Sequence, residues 1–314
     1  MLGDMAPIFG PPQVRAMPTG SNVLRLPWVR GYKMADNQSP RPLDRVFVAF
    51  NFYDDLNVGS DGSPRVPLGD VRVWREFFGL EKTFLEQQAS IGLRLPLNTI
   101  SAEGRGPGVG GTSTALGDLT VFLKYAPWLD PISGDVFSAG LAVTAPTSPR
   151  AFAGADFTRA RNPTYLQPFI GYIKTWGDWY IQGFSGINVP SDSRVVTMYY
   201  NDFGLGYYLY RSPKPRAMVS ALVPSIEVHV NTPLNHRGGF SAVRDPGATF
   251  DVVNLTFGLN TILRQRTVLS VGFVEPLTGP RPFDFEVVVL LNVYYNGRRP
   301  GRPVPGIRPP SIGG

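Results

Sequence analysis

Histidine and serine are the residues of this chain that could break bonds. His229 lies in a run of alternating polar and apolar residues, and Ser225 and Asn231 share its face. A serine hydrolase needs a serine, a histidine that takes its proton, and a polar residue that orients the histidine. Four residues of extended strand span about 13 Å, too far for a hydrogen bond between Ser225 and His229. We therefore predict no catalytic residue and no enzyme, and a membrane-embedded lipid hydrolase is kept as a weaker alternative.

The chain contains few side chains that could bind a metal ion through sulfur or nitrogen. The chain contains no cysteine and two histidines, His229 and His236, so a disulfide framework and a thiolate metal site are excluded. We predict neither a metal nor a cofactor. The formal charge of +6 comes largely from the tail, where Arg298 and Arg299 begin a diffuse basic stretch. This stretch favours a solvated tail or contact with an anionic surface over nucleic-acid binding.

Two neighbouring runs, Gly117–Ala126 and Val136–Ala145, show the pattern on which the chain is built. In the first run Asp118 and Lys124 share one face, whereas Leu123 belongs to the opposite, apolar face. Successive side chains of a strand point to opposite sides. Strands of soluble proteins are typically about five or six residues long, whereas a tilted strand needs about nine to eleven residues to cross a bilayer. Both runs have about ten residues, so the pattern predicts transmembrane strands.

The same pattern recurs twelve times and predicts the fold class. We expect an all-β protein, a 12-stranded antiparallel up-and-down transmembrane β-barrel. The predicted strands are Asp44–Tyr53, Val71–Phe84, Gln88–Leu97, Gly117–Ala126, Val136–Ala145, Tyr165–Trp176, Trp179–Val189, Val196–Tyr210, Ala217–Asn231, Phe250–Leu263, Thr267–Glu275 and Phe283–Tyr295. A soluble β-sandwich is the alternative, and it explains the alternation but not the strand length.

Connections and aromatic residues predict the orientation of the barrel. Short and long connections alternate along the chain, which is typical of short periplasmic turns and long outer loops, with both termini in the periplasm. Aromatic side chains cluster at the strand ends and predict two interfacial belts. We expect the outer belt to contain Phe52, Tyr53, Trp74, Tyr165, Tyr199 and Tyr200, and the periplasmic belt to contain Phe84, Tyr125, Trp128, Trp176, Trp179, Tyr207, Tyr210, Tyr294 and Tyr295.

Polar residues on the other face predict the lining of the barrel. The pore-lining candidates are Arg45, Arg75, Glu81, Arg94, Asp118, Lys124, Gln182, Asp202, Glu227, His229 and Glu286. Charges of mixed sign on a closed wall can pair with one another, and a selectivity role for single residues is the alternative. Glycines on this face either widen the bore or make room for large inward side chains such as Phe47. Twelve strands predict a narrow bore, constricted by the loop Ala102–Ala115.

Three regions are predicted along the chain. Residues 1–43 are rich in Pro and Gly and form a coil or a plug, residues 44–295 form the barrel, and residues 296–314 form a basic, Pro-rich periplasmic tail. The start, Met1–Gly10, lacks the basic segment and apolar core of a signal peptide. Since an outer-membrane barrel requires one, we expect the chain to be a processed or trimmed form.

Short motifs add a family resemblance. These are Gly117-Asp118-Leu119, the strand end Ala142-Val143-Thr144-Ala145-Pro146, and Glu227 with His229 before Asn231-Thr232-Pro233-Leu234. Over residues 44–295 the chain resembles a family of outer-membrane channels associated with operons for meta-cleavage degradation of phenols, and it is most similar to planctomycete-type relatives. The resemblance implies a β-barrel that passes small, aromatic or hydrophobic compounds across the outer membrane.

These observations predict a porin-like channel of the bacterial outer membrane. Its expected partners are outer-membrane lipid and small-molecule solutes, with no nucleic acid. Two further partners are left as alternatives: a second copy of the chain in a homo-oligomer, and a cell-wall or periplasmic partner bound through the tail. The alternative is a structural or interaction protein with a closed barrel.

Overall fold

A computed structural model shows the chain as one closed β-barrel. It describes residues 1–4, 33–56, 68–104, 110–148, 151–152, 155–156, 163–193, 195–214, 216–235, 237, 251–278 and 281–295. Among these residues there is no helix long and apolar enough to cross a membrane.

Twelve long strands form the wall, and four short strands accompany them. The long strands are β1 (Arg45–Asp54), β2 (Leu68–Phe84), β3 (Ala89–Gly104), β5 (Leu119–Leu129), β6 (Val136–Ala145), β9 (Tyr165–Trp176), β10 (Trp179–Pro190), β11 (Met198–Tyr207), β13 (Val219–Pro233), β14 (Val252–Leu263), β15 (Thr267–Pro276) and β16 (Phe285–Tyr294). The short strands are β4 (Gly110–Leu116), β7 (Ala151–Phe152), β8 (Ala155–Asp156) and β12 (Tyr210–Arg211).

Every long strand pairs antiparallel with the long strands before and after it, and β1 pairs with β16. Arg45 at the start of β1 lies opposite Tyr294 at the end of β16, so the sheet has no free edge along the wall. All short turns and both ends of the wall lie at one end of the barrel, which we call the turn end. The connection from β11 to β13, which contains β12, also lies at the turn end, and the other connections lie at the opposite end, the loop end. The predicted 12-stranded antiparallel barrel is confirmed.

The connection predicted to constrict the bore is largely a hairpin. Strand β3 continues to Gly104 and pairs with β4, from Leu97 opposite Leu116 to Glu103 opposite Gly110. Residues 102–104 and 110–115 therefore belong to strands, and the prediction of a loop is wrong for them. The middle of that connection, residues 105–109, lies outside the described residues.

The two faces of the wall differ as the alternation predicts. In β5 the side chains of Val121 and Leu123 point outward and are 40% and 49% exposed, whereas Phe122 and Lys124 point inward and are buried. Every spanning strand carries such outward apolar side chains, and together they form an apolar belt around the barrel. A closed barrel with an apolar exterior and a polar interior is the arrangement of a transmembrane β-barrel.

The aromatic belts agree with the prediction at the turn end and in part at the loop end, where Phe52, Trp74 and Tyr199 lie on the outward face and are half-buried. At the turn end seven predicted side chains are exposed: Phe84, Tyr125, Trp128, Trp176, Trp179, Tyr210 and Tyr295. At the loop end Tyr53, Tyr165 and Tyr200 are buried inside the barrel, so their assignment to an outer belt is wrong. Tyr53 instead packs on Phe283, with ring centroids 5.7 Å apart, because apolar side chains close the interior at this end.

Candidate functional site

The interior of the barrel contains all eleven predicted lining residues. Each is at most 9% exposed, although a wall of this kind would be wetted if the lumen were empty. Residues 1–4 and 33–43, the N-terminal segment, lie inside the barrel and bond to the wall on several sides, at Glu81, Arg75, Arg94, Asp202 and Glu227. The predicted lining residues fall into three clusters and three separate positions, and Glu227 binds the start of the segment.

The first cluster surrounds Glu81 of β2. Its carboxylate accepts hydrogen bonds from Arg45 Nε at 3.0 Å, from Lys124 Nζ at 3.0 Å and from Ser90 Oγ at 2.7 Å. The backbone N–H of Leu43 in the segment donates to the same carboxylate at 3.1 Å. Two cations from the wall thus share one buried carboxylate, which also fixes the point where the segment joins β1.

The second cluster joins two arginines to the segment. Arg75 of β2 and Arg94 of β3 each donate from Nη2 to one oxygen of Asp36, and both distances are 2.9 Å. The Arg94 guanidinium carbon lies 3.8 Å from the ring centroid of Phe77. All of these side chains are buried.

The third cluster is centred on Lys33 of the segment. Its ammonium pairs with Asp4 of the segment and with Asp202 of β11. His229 of β13 bonds through Nδ1 to Asp202 at 2.8 Å and through Nε2 to Thr256 Oγ1 at 3.0 Å. Burial alone lowers the pKa of Lys33, but the carboxylates of Asp202 and Asp4 raise it above its ordinary value, so Lys33 is charged at neutral pH.

Asp4, Asp202 and His229 also have the donor types of a metal site, with ligand atoms within 4.8 Å of one another. The Lys33 ammonium already bonds to both carboxylates. It supplies the positive charge that a metal ion would bring, so this group is better described as a buried ion-pair network.

The remaining predicted lining residues lie apart. Asp118 accepts the backbone N–H of Ser148 at 2.9 Å and thereby closes a loop-end connection. Glu286 accepts from Asn51 Nδ2 at 2.7 Å. Gln182 lies beside Gly204, with its Cγ 3.4 Å from the position of a Cβ on that glycine.

Main-chain contacts hold the start of the segment. The N–H groups of Leu2 and Gly3 donate to the Glu227 carboxylate at 3.0 and 3.1 Å. Asn231 and Asn254 donate to Asp4 at 3.1 and 2.7 Å. Wall residues of β13 and β14 therefore bind the segment with a carboxylate and two amides.

At the turn end Arg41 ties the segment to the rim. Its Nη2 donates to the carbonyl oxygen of Gly134 in the β5–β6 turn at 2.8 Å. Burial lowers the pKa of Arg41 to about 10, so the guanidinium remains charged at neutral pH.

Ser225 and His229 do not form the hydrogen bond that the hydrolase alternative requires. Ser225 Oγ accepts from Asn260 Nδ2 at 3.2 Å, whereas His229 bonds to Asp202 and Thr256. An acid, a histidine and a hydroxyl thus stand in a row, and Thr256 is a partner that sequence reasoning missed. His229 and Thr256 are each 0% exposed, so a substrate has no access to these side chains while the N-terminal segment occupies the lumen.

Inward glycines and phenylalanines form pairs across neighbouring strands. Phe47 lies opposite Gly79, Phe122 opposite Gly92, Phe169 opposite Gly140 and Phe184 opposite Gly171. A Cβ on Gly79 would lie 2.2 Å from the Phe47 ring, and a Cβ on Gly92 would lie equally close to Phe122. The glycines were predicted either to widen the bore or to make room for large inward side chains, and the second prediction is confirmed at these positions. Three of the rings pack with Met34 and Ala35 of the segment.

No protein-family model and no curated protein matches this chain. Among solved structures, an outer-membrane channel from Pseudomonas putida F1 matches with a TM-score of 0.58 at 14% identity, over 83% of this chain and 99% of that one. The chain has the fold of an outer-membrane β-barrel. The β domain of the Bordetella autotransporter BrkA matches with a TM-score of 0.47 at 9% identity, covering 81% of this chain and 100% of that one. The NanC porin matches with a TM-score of 0.42 at 8% identity, covering 79% and 98%.

Proposed function

We propose that the chain is a channel of the bacterial outer membrane that lets small solutes cross passively. One observation carries this proposal: a closed barrel has an apolar exterior and an interior lined by charged side chains. Its fold, shared with an outer-membrane channel, supports the same function. No bond-making chemistry is required.

The turn end is proposed to face the periplasm. Outer-membrane barrels have short periplasmic turns and longer outer loops, and here the short turns share one end with both ends of the wall. The tail, residues 296–314, lies outside the described residues. Under this orientation it starts on the periplasmic side, where a cell-wall or periplasmic partner would meet it.

The N-terminal segment is proposed to be a plug. Residues 1–4 and 33–43 bind the wall through Glu227, Glu81 and Asp202 and through the arginine pair, and they bury the charged interior. This structure then corresponds to a closed channel, and conduction requires the segment to leave. Residues 5–32 lie outside the described residues.

Small aromatic or hydrophobic compounds are the proposed solutes. Inward rings such as Phe122, Phe169 and Phe184 contact the segment and would face the lumen without it. The resemblance to channels associated with phenol degradation, among planctomycete-type relatives, points to the same class of compound.

Single-channel conductance in a planar bilayer tests the proposal. The full chain and a variant without residues 1–43 are purified in detergent and reconstituted. We expect rare or no steps from the full chain and frequent steps from the shortened variant. A shortened variant with the arginine pair replaced by glutamine serves as a control, since it should conduct with altered ion selectivity.

A closed barrel with a structural or interaction role is the second candidate. The dense packing of the described interior favours it, because no predicted lining residue is open to solvent. Silence from both the full chain and the shortened variant would establish this candidate instead of the channel.

A further inference from the structure

Arg75 and Arg94 form a carboxylate site on the inner wall. They come from adjacent strands, β2 and β3, and both donate to the same oxygen of Asp36 at 2.9 Å. Arg94 Nη1 also donates to the backbone oxygen of Asp36 at 3.4 Å. Two guanidinium groups that converge on one carboxylate are the arrangement with which proteins bind organic acids.

We propose that small organic carboxylates bind to Arg75 and Arg94 when the N-terminal segment leaves the lumen. In the closed channel Asp36 occupies the place of the solute and helps to hold the segment in the lumen. An incoming carboxylate would replace Asp36 at the two arginines. This inference rests on the proposed function in requiring the segment to leave.

The charges of the wall set this pair apart from the other lumen cations. Arg45 and Lys124 share the carboxylate of Glu81, which belongs to the wall and stays there. The carboxylate that joins Arg75 to Arg94 belongs to the segment and departs with it. Departure therefore leaves two adjacent cations without that shared counterion.

The wall around the pair includes a further acid. Asn51 lies opposite Arg75 in the strand register and donates to Glu286, whose carboxyl also interacts electrostatically with Arg75. In the described part of the chain, Arg75 Nε donates no hydrogen bond and Asp36 Oδ1 accepts none. A free carboxylate, unlike one fixed to the backbone, can turn both oxygens toward these donors.

Aromatic rings beside the pair add an apolar contact. Phe77 lies 3.8 Å from the Arg94 guanidinium carbon and 5.6 Å from that of Arg75, and Tyr53 lies 5.6 Å from Arg75. Rings at this distance orient a guanidinium and would contact the body of an acid whose carboxylate is bound. The class of ligand is therefore a monocarboxylate with an aromatic or aliphatic body.

Calorimetric binding of benzoate to the detergent-purified full chain tests the site, with benzamide as a neutral probe of the same shape. In wild-type protein benzoate competes with the tethered Asp36, which has an effective concentration on the order of millimolar. We expect Asp36→Asn to bind benzoate at least about tenfold more tightly than wild type, because that competition is removed. Benzamide should bind neither protein.

Arginine variants locate the binding. Asp36→Asn combined with Arg75→Gln or Arg94→Gln should lose benzoate binding, whereas Asp36→Asn combined with Arg72→Gln should keep it. Arg72 is the matched control, since it lies on the same strand but is exposed and pairs with Asp54. The proposal would be overturned if Asp36→Asn and wild type bound benzoate with equal affinity. It would also be overturned if benzoate still bound both double variants, with Arg75→Gln and with Arg94→Gln.

Hydrogen exchange of the wild-type chain gives a second readout if Asp36→Asn does not fold. The N–H groups of Asp36 and Gln38 are bonded within the segment, and benzoate should accelerate their exchange while benzamide should not. No acceleration would overturn the site. Binding by a chain that never conducts, even without residues 1–43, would retain the site but refute the channel. Conduction without benzoate binding would retain the channel but refute the site.

Discussion

Lys33 of the N-terminal segment and Asp202 of β11 form a buried ion pair, with Nζ 2.5 Å from Oδ1. The same ammonium pairs with Asp4, so one cation joins the two described parts of the segment to the wall. The strength with which the segment is held should therefore depend on this cation.

Replacing Lys33 by methionine should release the segment. It leaves two buried carboxylates without their cation, and breaking a buried pair costs about 3–5 kcal/mol. The chain contains no cysteine, so Ala35→Cys, buried in wild type, reports release through its rate of maleimide labelling. We expect labelling to accelerate by at least about a hundredfold. Lys174→Met, which breaks an exposed pair with Asp135, is the control and should leave the rate unchanged.

Acid should also release the segment. Burial alone raises the pKa of Asp4. The charges of Lys33 and His229 have the larger, opposite effect, so the pKa lies below the ordinary value of 3.8. A carboxyl whose pKa is depressed in the closed state stabilises that state fully at neutral pH, and the stabilisation disappears as the pH falls through the lowered pKa. We expect conductance to rise as the pH falls below about 4.

Asp4→Asn separates this group from the other carboxylates. The variant should open more often at neutral pH and should show a smaller increase in acid. Asp54→Asn, at the loop end, should behave as wild type. An acid response that is identical in all three proteins would show that Asp4 does not hold the segment.

Gly258→Ala should loosen the start of the segment without altering the charges. A Cβ at this position would lie 2.0 Å from Leu2 Cδ1, so the buried leucine must move. Overpacking of this kind costs about 1–3 kcal/mol, which predicts about tenfold faster labelling of Ala35→Cys. Gly204→Ala, whose Cβ would make ordinary contacts at 3.4 Å, should not change the rate.

Glu81→Ala should destabilise the barrel itself. Arg45 and Lys124 would lose their shared carboxylate, and the loss of one partner of a buried ion pair costs about 3–5 kcal/mol. Urea unfolding in detergent measures the change. Glu275→Ala, on an exposed position of β15, should have an effect near zero, and comparable losses for both variants would contradict the role of Glu81.

Leu123→Arg tests whether the apolar belt faces lipid. Leu123 lies in the middle of β5 and is 49% exposed, and an arginine at the midplane of a bilayer destabilises a barrel by about 2–4 kcal/mol. Ile132→Arg, in the β5–β6 turn and 84% exposed, should have little effect. Folding into phospholipid vesicles compares the two, and equal effects would show that the belt is not in the membrane.

Strand periodicity made the wall predictable. Alternation in runs such as Gly117–Ala126 gives both the faces and the length of a strand, and these features are local. The hairpin of β3 and β4 was missed because one of its faces is polar: Thr99 bonds to Thr114 and Ser101 to Thr112 across it. Tyr53 was placed in an outer belt because its direction depends on Phe283, which lies far away in sequence.

The segment was the part that local patterns could not predict in detail. Asp4, Lys33 and Asp36 have no periodicity, and their partners come from β2, β3, β11, β13 and β14. Only the closure of the barrel brings those strands around one short stretch of chain. The charge pairing within the wall, by contrast, was expected from the mixed signs of Glu81, Arg45 and Lys124.

If the segment leaves the lumen as proposed, its attachment at Leu43, directly before β1, should limit how long the channel stays open. A segment that leaves the lumen remains joined to the rim and returns by an intramolecular reaction, at an effective concentration on the order of millimolar. Opening should therefore be brief and should recur without any partner. A lasting open state requires a ligand that occupies either the vacated wall or the released segment.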